Sequence, residues 1–194
     1  MFNEQDILEY FNKKTDKRNQ IADLFKNFEE SILPELELLV QISIDRKQNI
    51  YQLTSCVSLS SANAVTRTFS TKLGTLWEKV AMLSPNVISP EFELGYKIPE
   101  IDVIVKYNNK LYYTQLKTQK NTLTGSQSPR TAQEMSRYEN SWFVACIDTN
   151  CSWTAPSSIT RLIGREFWEK IGIDYNEILT LLYNLCQKVE EVVK

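Results

Sequence analysis

Apolar positions along this chain fall into helical, alternating and continuous runs, and their order predicts its elements. Helical spacing over 3–12 and about 17–42 predicts two helices, the second carrying Ile21, Leu24, Phe25, Phe28 and Ile32 on one stripe. Pro34 is expected to kink or divide that helix. Residues 43–60 carry no single period. From about 62 to 83 a strong amphipathic helix is expected, with Phe69, Leu73, Leu76, Trp77, Val80 and Leu83 on its apolar stripe, stopped by Ser84-Pro85-Asn86. A short strand is expected around 92–97. Two β-rich runs follow, 101–107 and 110–117, separated by Asn108-Asn109, and Asn tolerates the positive φ that a two-residue hairpin turn requires. Polar residues 118–128 read as a loop. A helix from Ser128-Pro129 to about 140 has Pro at its first position, and 142–147 is an apolar run that fits a buried central strand. Helices over about 157–170 and 174–193 complete the chain. Helix, three strands, helix and strand, with helical additions at 1–60 and 157–193, make a mixed α/β fold. No repeat or long linker marks a boundary, so 1–194 is expected to form one domain around a core of about 62–148.

The hairpin carries the candidate chemistry. If Tyr107 and Lys110 flank the turn, Asp102 faces Gln115 and Glu100 faces Lys117. Opposed side chains on a strand pair have Cβ atoms roughly 4.5–5.5 Å apart. An acid, an amide oxygen and an ammonium then converge on one face, which outlines a divalent-metal site. The duller reading is a cross-strand Asp102–Lys117 ion pair on a solvated surface, contributing about 0–1 kcal/mol.

Composition narrows the chemistry. The chain has no histidine, which excludes Ser-His-Asp and Cys-His catalysis and His-ligated metals. A metal here must be held by oxygen atoms, which favours magnesium or manganese. Cys56, Cys146, Cys151 and Cys186 form no CxxC pair and read as small buried hydrophobes. No run approaches the roughly 18 apolar residues of a membrane helix, and the N-terminus lacks signal-peptide character, so a cytoplasmic location away from membranes is expected. The net charge is −2, but residues 60–137 hold ten Lys/Arg against six Asp/Glu, while the remainder holds twelve against eighteen. The basic excess coincides with the hairpin and its flanks, as a local nucleic-acid footprint would. Ordinary surface variation is the alternative.

This order of elements, with Pro99-Glu100-Ile101-Asp102 followed by Gln115-Leu116-Lys117, resembles the PD-(D/E)XK nuclease superfamily, and within it the type II restriction endonucleases. The resemblance covers about 62–148. It implies a restriction-endonuclease-like αβββαβ core, a Mg2+ cofactor, double-stranded DNA as partner and a homodimer cutting a short palindrome to 5′-phosphate and 3′-hydroxyl ends. Carried over by position, Asp102 ligates the metal, Gln115 ligates through its side-chain oxygen and Leu116 through its carbonyl. Lys117 positions water or stabilises charge on the phosphate, and Glu78, on the preceding helix, orients water or ligates a metal. The family usually has Asp or Glu where this chain has Gln115. A neutral amide is a weaker ligand for a hard cation, so Gln115→Glu is expected to raise metal affinity, with Glu78 or Glu100 supplying the missing charge meanwhile.

Around the core, Lys120, Asn121, Thr122, Thr124, Ser126, Gln127 and Arg130 supply amide, hydroxyl and cationic groups suited to base edges and phosphates. Arg67 and Lys72 are further DNA-binding candidates. Loops are polar in any protein, and the segment around Arg67 also reads as an ordinary helix start. Two other functions stay open. One is a repair or junction-resolving nuclease of the same fold, which a more basic charge would suit better. The other is an inactive nuclease-like domain that binds DNA or protein, with Gln115 marking a lost ligand.

Overall fold

The computed structural model describes residues 4–45, 50–119, 127–147 and 156–194. In chain order the elements are α1 (Glu4–Lys13), α2 (Ile21–Asp45), α3 (Ile50–Leu53), α4 (Val57–Ala81), β1 (Val87–Ile88), α5 (Pro90–Leu94), β2 (Val103–Tyr107) and β3 (Lys110–Lys117), then α6 (Gln127–Met135), β4 (Ser141–Ala145), β5 (Ile159–Ile163), α7 (Gly164–Lys170) and α8 (Tyr175–Val193). They pack as two compact units, Met1–Ile21 with Trp77–Tyr175, and Ala22–Leu76 with Asn176–Lys194.

The first unit is built on a sheet of order β1-β2-β3-β4-β5. The β1–β2 and β2–β3 pairs are antiparallel, and β3–β4 and β4–β5 are parallel. Every residue of β4 is buried, as a central strand covered on both faces requires. Side chains alternate across the sheet. Ile104, Tyr113 and Phe143 join Ile7 and Phe11 of α1 and Met135 of α6 in one apolar cluster. The tryptophans Trp77 and Trp168, both fully buried, lie 6.2 Å apart between ring centroids, with Phe167 5.0 Å from Trp168. Trp168 Nε1 also donates to the Cys146 carbonyl at 2.7 Å. Each such ring contributes about 1.5–3 kcal/mol by leaving water, and the indole hydrogen bond fixes where it sits.

The second unit is helical in its described residues. Phe25, Ile32 and Leu36 of α2, Val65, Phe69, Leu73 and Leu76 of α4, and Ile178, Leu182, Leu185 and Val189 of α8 are buried at helical spacing. Ion pairs tie α2 to α8 through Glu29 and Lys188 at 2.5 Å, and to α4 through Glu35 and Lys72 at 3.1 Å.

Several expectations are corrected. Pro34 does not divide α2, which runs through it. An interior proline costs about 3 kcal/mol, and burial of Ile32 and Leu36 on either side, 2% and 0% exposed, offsets it. The long amphipathic helix starts at Val57, taking in part of the ambiguous stretch. The strand expected at 92–97 is instead α5, with β1 ahead of it. Ser89 caps α5, accepting from the Phe92 N–H at 3.3 Å while its own N–H donates to Glu93 at 2.9 Å. Pro90 opens the helix and Gly95, with φ of 76°, closes it. That is a complete set of helix start and stop signals. The first part of the helix expected at 157–170 is β5, which pairs with β4 before α7 begins at Gly164.

Candidate functional site

The β2–β3 hairpin has the register read from its sequence. Tyr107 pairs with Lys110 and Val103 with Thr114. Asn108 and Asn109 take φ of 50° and 59°, the left-handed pair that a twisted two-residue turn needs. Gln115 falls on the β3 face shared with Tyr113 and lies beside Phe143 of β4, so its amide is 2% exposed.

Ahead of β2 the chain does something the strand pattern hides. Ile98 bridges to Ile101, whose N–H donates to the Ile98 carbonyl at 3.2 Å. Pro99 and Glu100 form the corner, and Glu100 has φ of 59°. Proline followed by a residue of positive φ is the sequence of a type II turn, whose third position normally takes Gly or Asn. A glutamate there carries a strain of about 1–2 kcal/mol. The expectation that Glu100 faces Lys117 is therefore corrected, because the turn swings its carboxylate onto Gln115. Gln115 Nε2 donates to Glu100 Oε2 at 2.6 Å, Thr131 Oγ1 of α6 donates to the same oxygen at 3.0 Å, and Arg130 Nε stands 3.6 Å from Glu100 Oε1.

Asp102 sits one residue outside β2. Its N–H donates to the Thr114 carbonyl at 3.0 Å, and its Oδ2 accepts the Leu116 N–H at 2.7 Å. Burial raises the Asp102 pKa; the Leu116 N–H and Lys117 oppose that shift, and Glu100 adds to it. From α4, Trp77 Nε1 donates to Thr118 Oγ1 at 3.0 Å, which anchors the helix against the end of β3. The next residue, Glu78, is pushed up to about 7 by burial, then by Asp102 and Glu91, with Lys97 and Lys117 pulling it down. Burial, and then Asp102, also raise the Cys146 thiol well above its ordinary value, so it is a neutral core group, as expected, whereas Cys56 is exposed and Cys186 half-buried, against the same expectation.

Glu78, Asp102, Gln115, Leu116 and Lys117 thus belong to one neighbourhood at the ends of β2 and β3, with Glu100 inside it. Sequence reading missed Thr131, a buried hydroxyl that nothing in the local pattern marks, and Lys97, whose charge acts on both Glu78 and Asp102. Arg130 reaches Glu100. Arg67 and Lys72 belong to the helical unit, where both are exposed and Lys72 pairs with Glu35. Lys120, Asn121, Thr122, Thr124 and Ser126, with Cys151, lie outside the described residues, and Gln127 begins α6.

One atom points to a ligand. Gln115 Oε1 is buried and has no hydrogen-bond partner among the described residues. The amide cannot simply turn over, because its nitrogen is the group able to donate to the Glu100 carboxylate. An unsatisfied buried acceptor costs about 1–3 kcal/mol and calls for a specific explanation. A cation coordinated by this amide oxygen would supply one. Among the described residues no group of three or more Asp, Glu or Cys side chains is placed to hold a metal by itself. Any ion here would rely on the amide and on backbone oxygen as well, donors that suit a hard divalent cation. The chain matches no protein-family model and no curated protein. No helix among the described residues is long and apolar enough to cross a membrane.

Proposed function

We propose that this chain is a magnesium-dependent endonuclease of double-stranded DNA, with a PD-(D/E)XK-type core and the role of a type II restriction enzyme acting as a homodimer. The observation that carries the reading is the buried, unpartnered Gln115 Oε1, oriented by Glu100 in the neighbourhood of Asp102. The succession α4, β1, α5, β2, β3, α6, β4 supports it, since apart from the short α5 it follows the helix, three strands, helix, strand order of that core.

In this reading Asp102 Oδ1, Gln115 Oε1 and the Leu116 carbonyl would hold the ion, because Asp102 Oδ2 is already committed to the Leu116 N–H. A bound magnesium ion supplies acidification of water and neutralisation of charge developing on the phosphate. Lys117 donates to a phosphate oxygen or positions the attacking water, and the Glu78 carboxyl orients that water. Arg130 and the segment ahead of it contact the duplex. Gln115, standing where the family usually carries an acid, favours a second reading, an inactive nuclease-like domain that only binds DNA or protein.

Incubating supercoiled plasmid DNA with the protein and magnesium separates these. Discrete fragments, lost without the metal and abolished in Asp102→Ala, are expected. A smear indicates non-specific cleavage, and cutting confined to branched DNA indicates a junction-resolving enzyme. DNA binding without cleavage in magnesium or manganese establishes the inactive reading. Full activity in Asp102→Ala removes the site proposed here.

A further inference from the structure

We infer that Glu100 is a positioning residue for the metal site, and that Glu100 and Gln115 work as one carboxylate–carboxamide pair. The inference rests on the metal-dependent reading above and concerns how that site makes use of an amide. The contacts of the pair bear on the same point. Glu100 Oε2 accepts from Gln115 Nε2 at 2.6 Å and from Thr131 Oγ1 at 3.0 Å, and Oε1 faces Arg130 Nε at 3.6 Å. A carboxylate held from three sides is a fixed acceptor, and a fixed acceptor dictates which end of the Gln115 amide turns towards it. The nitrogen is taken, so the oxygen is presented on the far side, where it is buried and unpartnered. The left-handed φ of Glu100 at the Pro99 corner brings the carboxylate to Gln115 in place of Lys117. A negative charge also stands one hydrogen bond behind the neutral ligand, polarising the amide so that more charge lies on its oxygen.

This changes what a carboxylate at position 115 would do. Gln115→Glu alone places two carboxylates at the distance of a 2.6 Å hydrogen bond with no donor between them. Exchanging the residues, Glu100→Gln with Gln115→Glu, keeps both the hydrogen bond and the net charge. The amide at 100 then donates to the carboxylate at 115, leaving that carboxylate's second oxygen on the far side.

The test is direct binding of Mn2+, followed by the loss of the free-ion signal in electron paramagnetic resonance, for the full chain without DNA. Proteins compared are the parent, Asp102→Asn, Glu100→Gln, Glu100→Asp and the exchanged double variant, each checked for an unchanged melting profile. Partners that orient a metal ligand are typically worth about 10–100-fold in affinity. Glu100→Gln is expected to weaken binding by that factor. Glu100→Asp, which keeps the charge but shortens the reach, is expected to weaken it comparably, and the double variant to return within about threefold of the parent. Full affinity in Glu100→Asp reduces Glu100 to a nearby charge and overturns the inference. So does unchanged affinity in Glu100→Gln, or no recovery in a folded double variant. A parent that binds no Mn2+, or binds it equally well as Asp102→Asn, overturns the metal-site reading itself.

Discussion

The two ends of the β2–β3 hairpin use the same backbone conformation for opposite purposes. At the turn, Asn109 has φ of 59°; at the other end, Glu100 also has φ of 59°. Asn is among the few residues that enter this region at little cost, and its exposed side chain is bound by nothing the fold depends on. Glutamate has no such tolerance, yet its carboxylate is held by Gln115 and Thr131 and approached by Arg130. Matched residues at one end and mismatched ones at the other show where the sequence serves the fold and where it serves something else. Local strain, raised carboxyl pKa values and an orphaned buried acceptor all gather at the Glu100 end. Concentrations of this kind belong to sites that bind or react.

The largest expected contrast is between the two lysines that bound β3, Lys117 and Lys110. Lys117 acts on the charges of Asp102 and Glu78, whereas Lys110 is exposed beside the Asn-Asn turn. Lys117→Ala is expected to lower the cleavage rate at saturating DNA by about 10²–10³-fold, the scale of losing one donor aimed at transition-state charge. Lys110→Ala is expected to stay within about twofold of the parent, as surface substitutions away from a site do. Single-turnover cleavage at saturating DNA measures both. A Lys117 effect on affinity alone would make it a phosphate anchor, and equal effects at the two ends would dissolve the contrast.

Much of this hairpin is legible in the chain because its signals are local. Asn108-Asn109 sets the turn, the turn sets the register, and the register places Gln115 on the buried face. The Glu100 end is less legible because its partner is set by tertiary contact: Thr131 lies on a helix far along the chain, and no spacing rule connects it to Glu100. Pro99 marks a corner, but a type II turn is announced by Gly or Asn at the third position, and here Glu stands there. Elsewhere helix caps overrule periodicity. The residues at 92–97 alternate well enough for a strand, yet Ser89, Pro90 and Gly95 enclose a helix. Residues 159–163 read as the start of a helix because they run into one, while their pairing partner, β4, is visible only in the folded chain.

A smaller effect separates strain from function. Glu100→Gly removes the left-handed strain, worth about 1–2 kcal/mol. It also removes an acceptor of two hydrogen bonds, and bonds to a charged group contribute about 1.5–3 kcal/mol each. The balance is a net loss of about 1–5 kcal/mol, with the buried Gln115 amide left without its acceptor. Urea unfolding should therefore show a lower midpoint, and Mn2+ binding should weaken alongside it. A glycine variant more stable than the parent would mean that the Glu100 contacts contribute little, and that the corner is simply a poor turn.

Asn109→Gly makes the matching change at the other end and should have the smallest effect, with the opposite sign. It creates Asn-Gly, the pair most favoured for a two-residue turn in which both residues take positive φ. Asn109 is exposed and supplies no contact that holds the sheet together, so glycine removes the residual left-handed cost and little else. A gain of about 0.5 kcal/mol is expected, which for a chain of this size raises the melting temperature by about 1–2 °C. Cleavage and Mn2+ binding should be unchanged, because the turn lies at the far end of β3 from Gln115 and Lys117. Calorimetry on the Asn109→Gly and Glu100→Gly proteins side by side gives the comparison at its cleanest: one backbone angle, one substituted residue type, two opposite signs. If both proteins become more stable, φ alone governs the two positions, and the carboxylate at 100 has no structural work beyond its place in the turn.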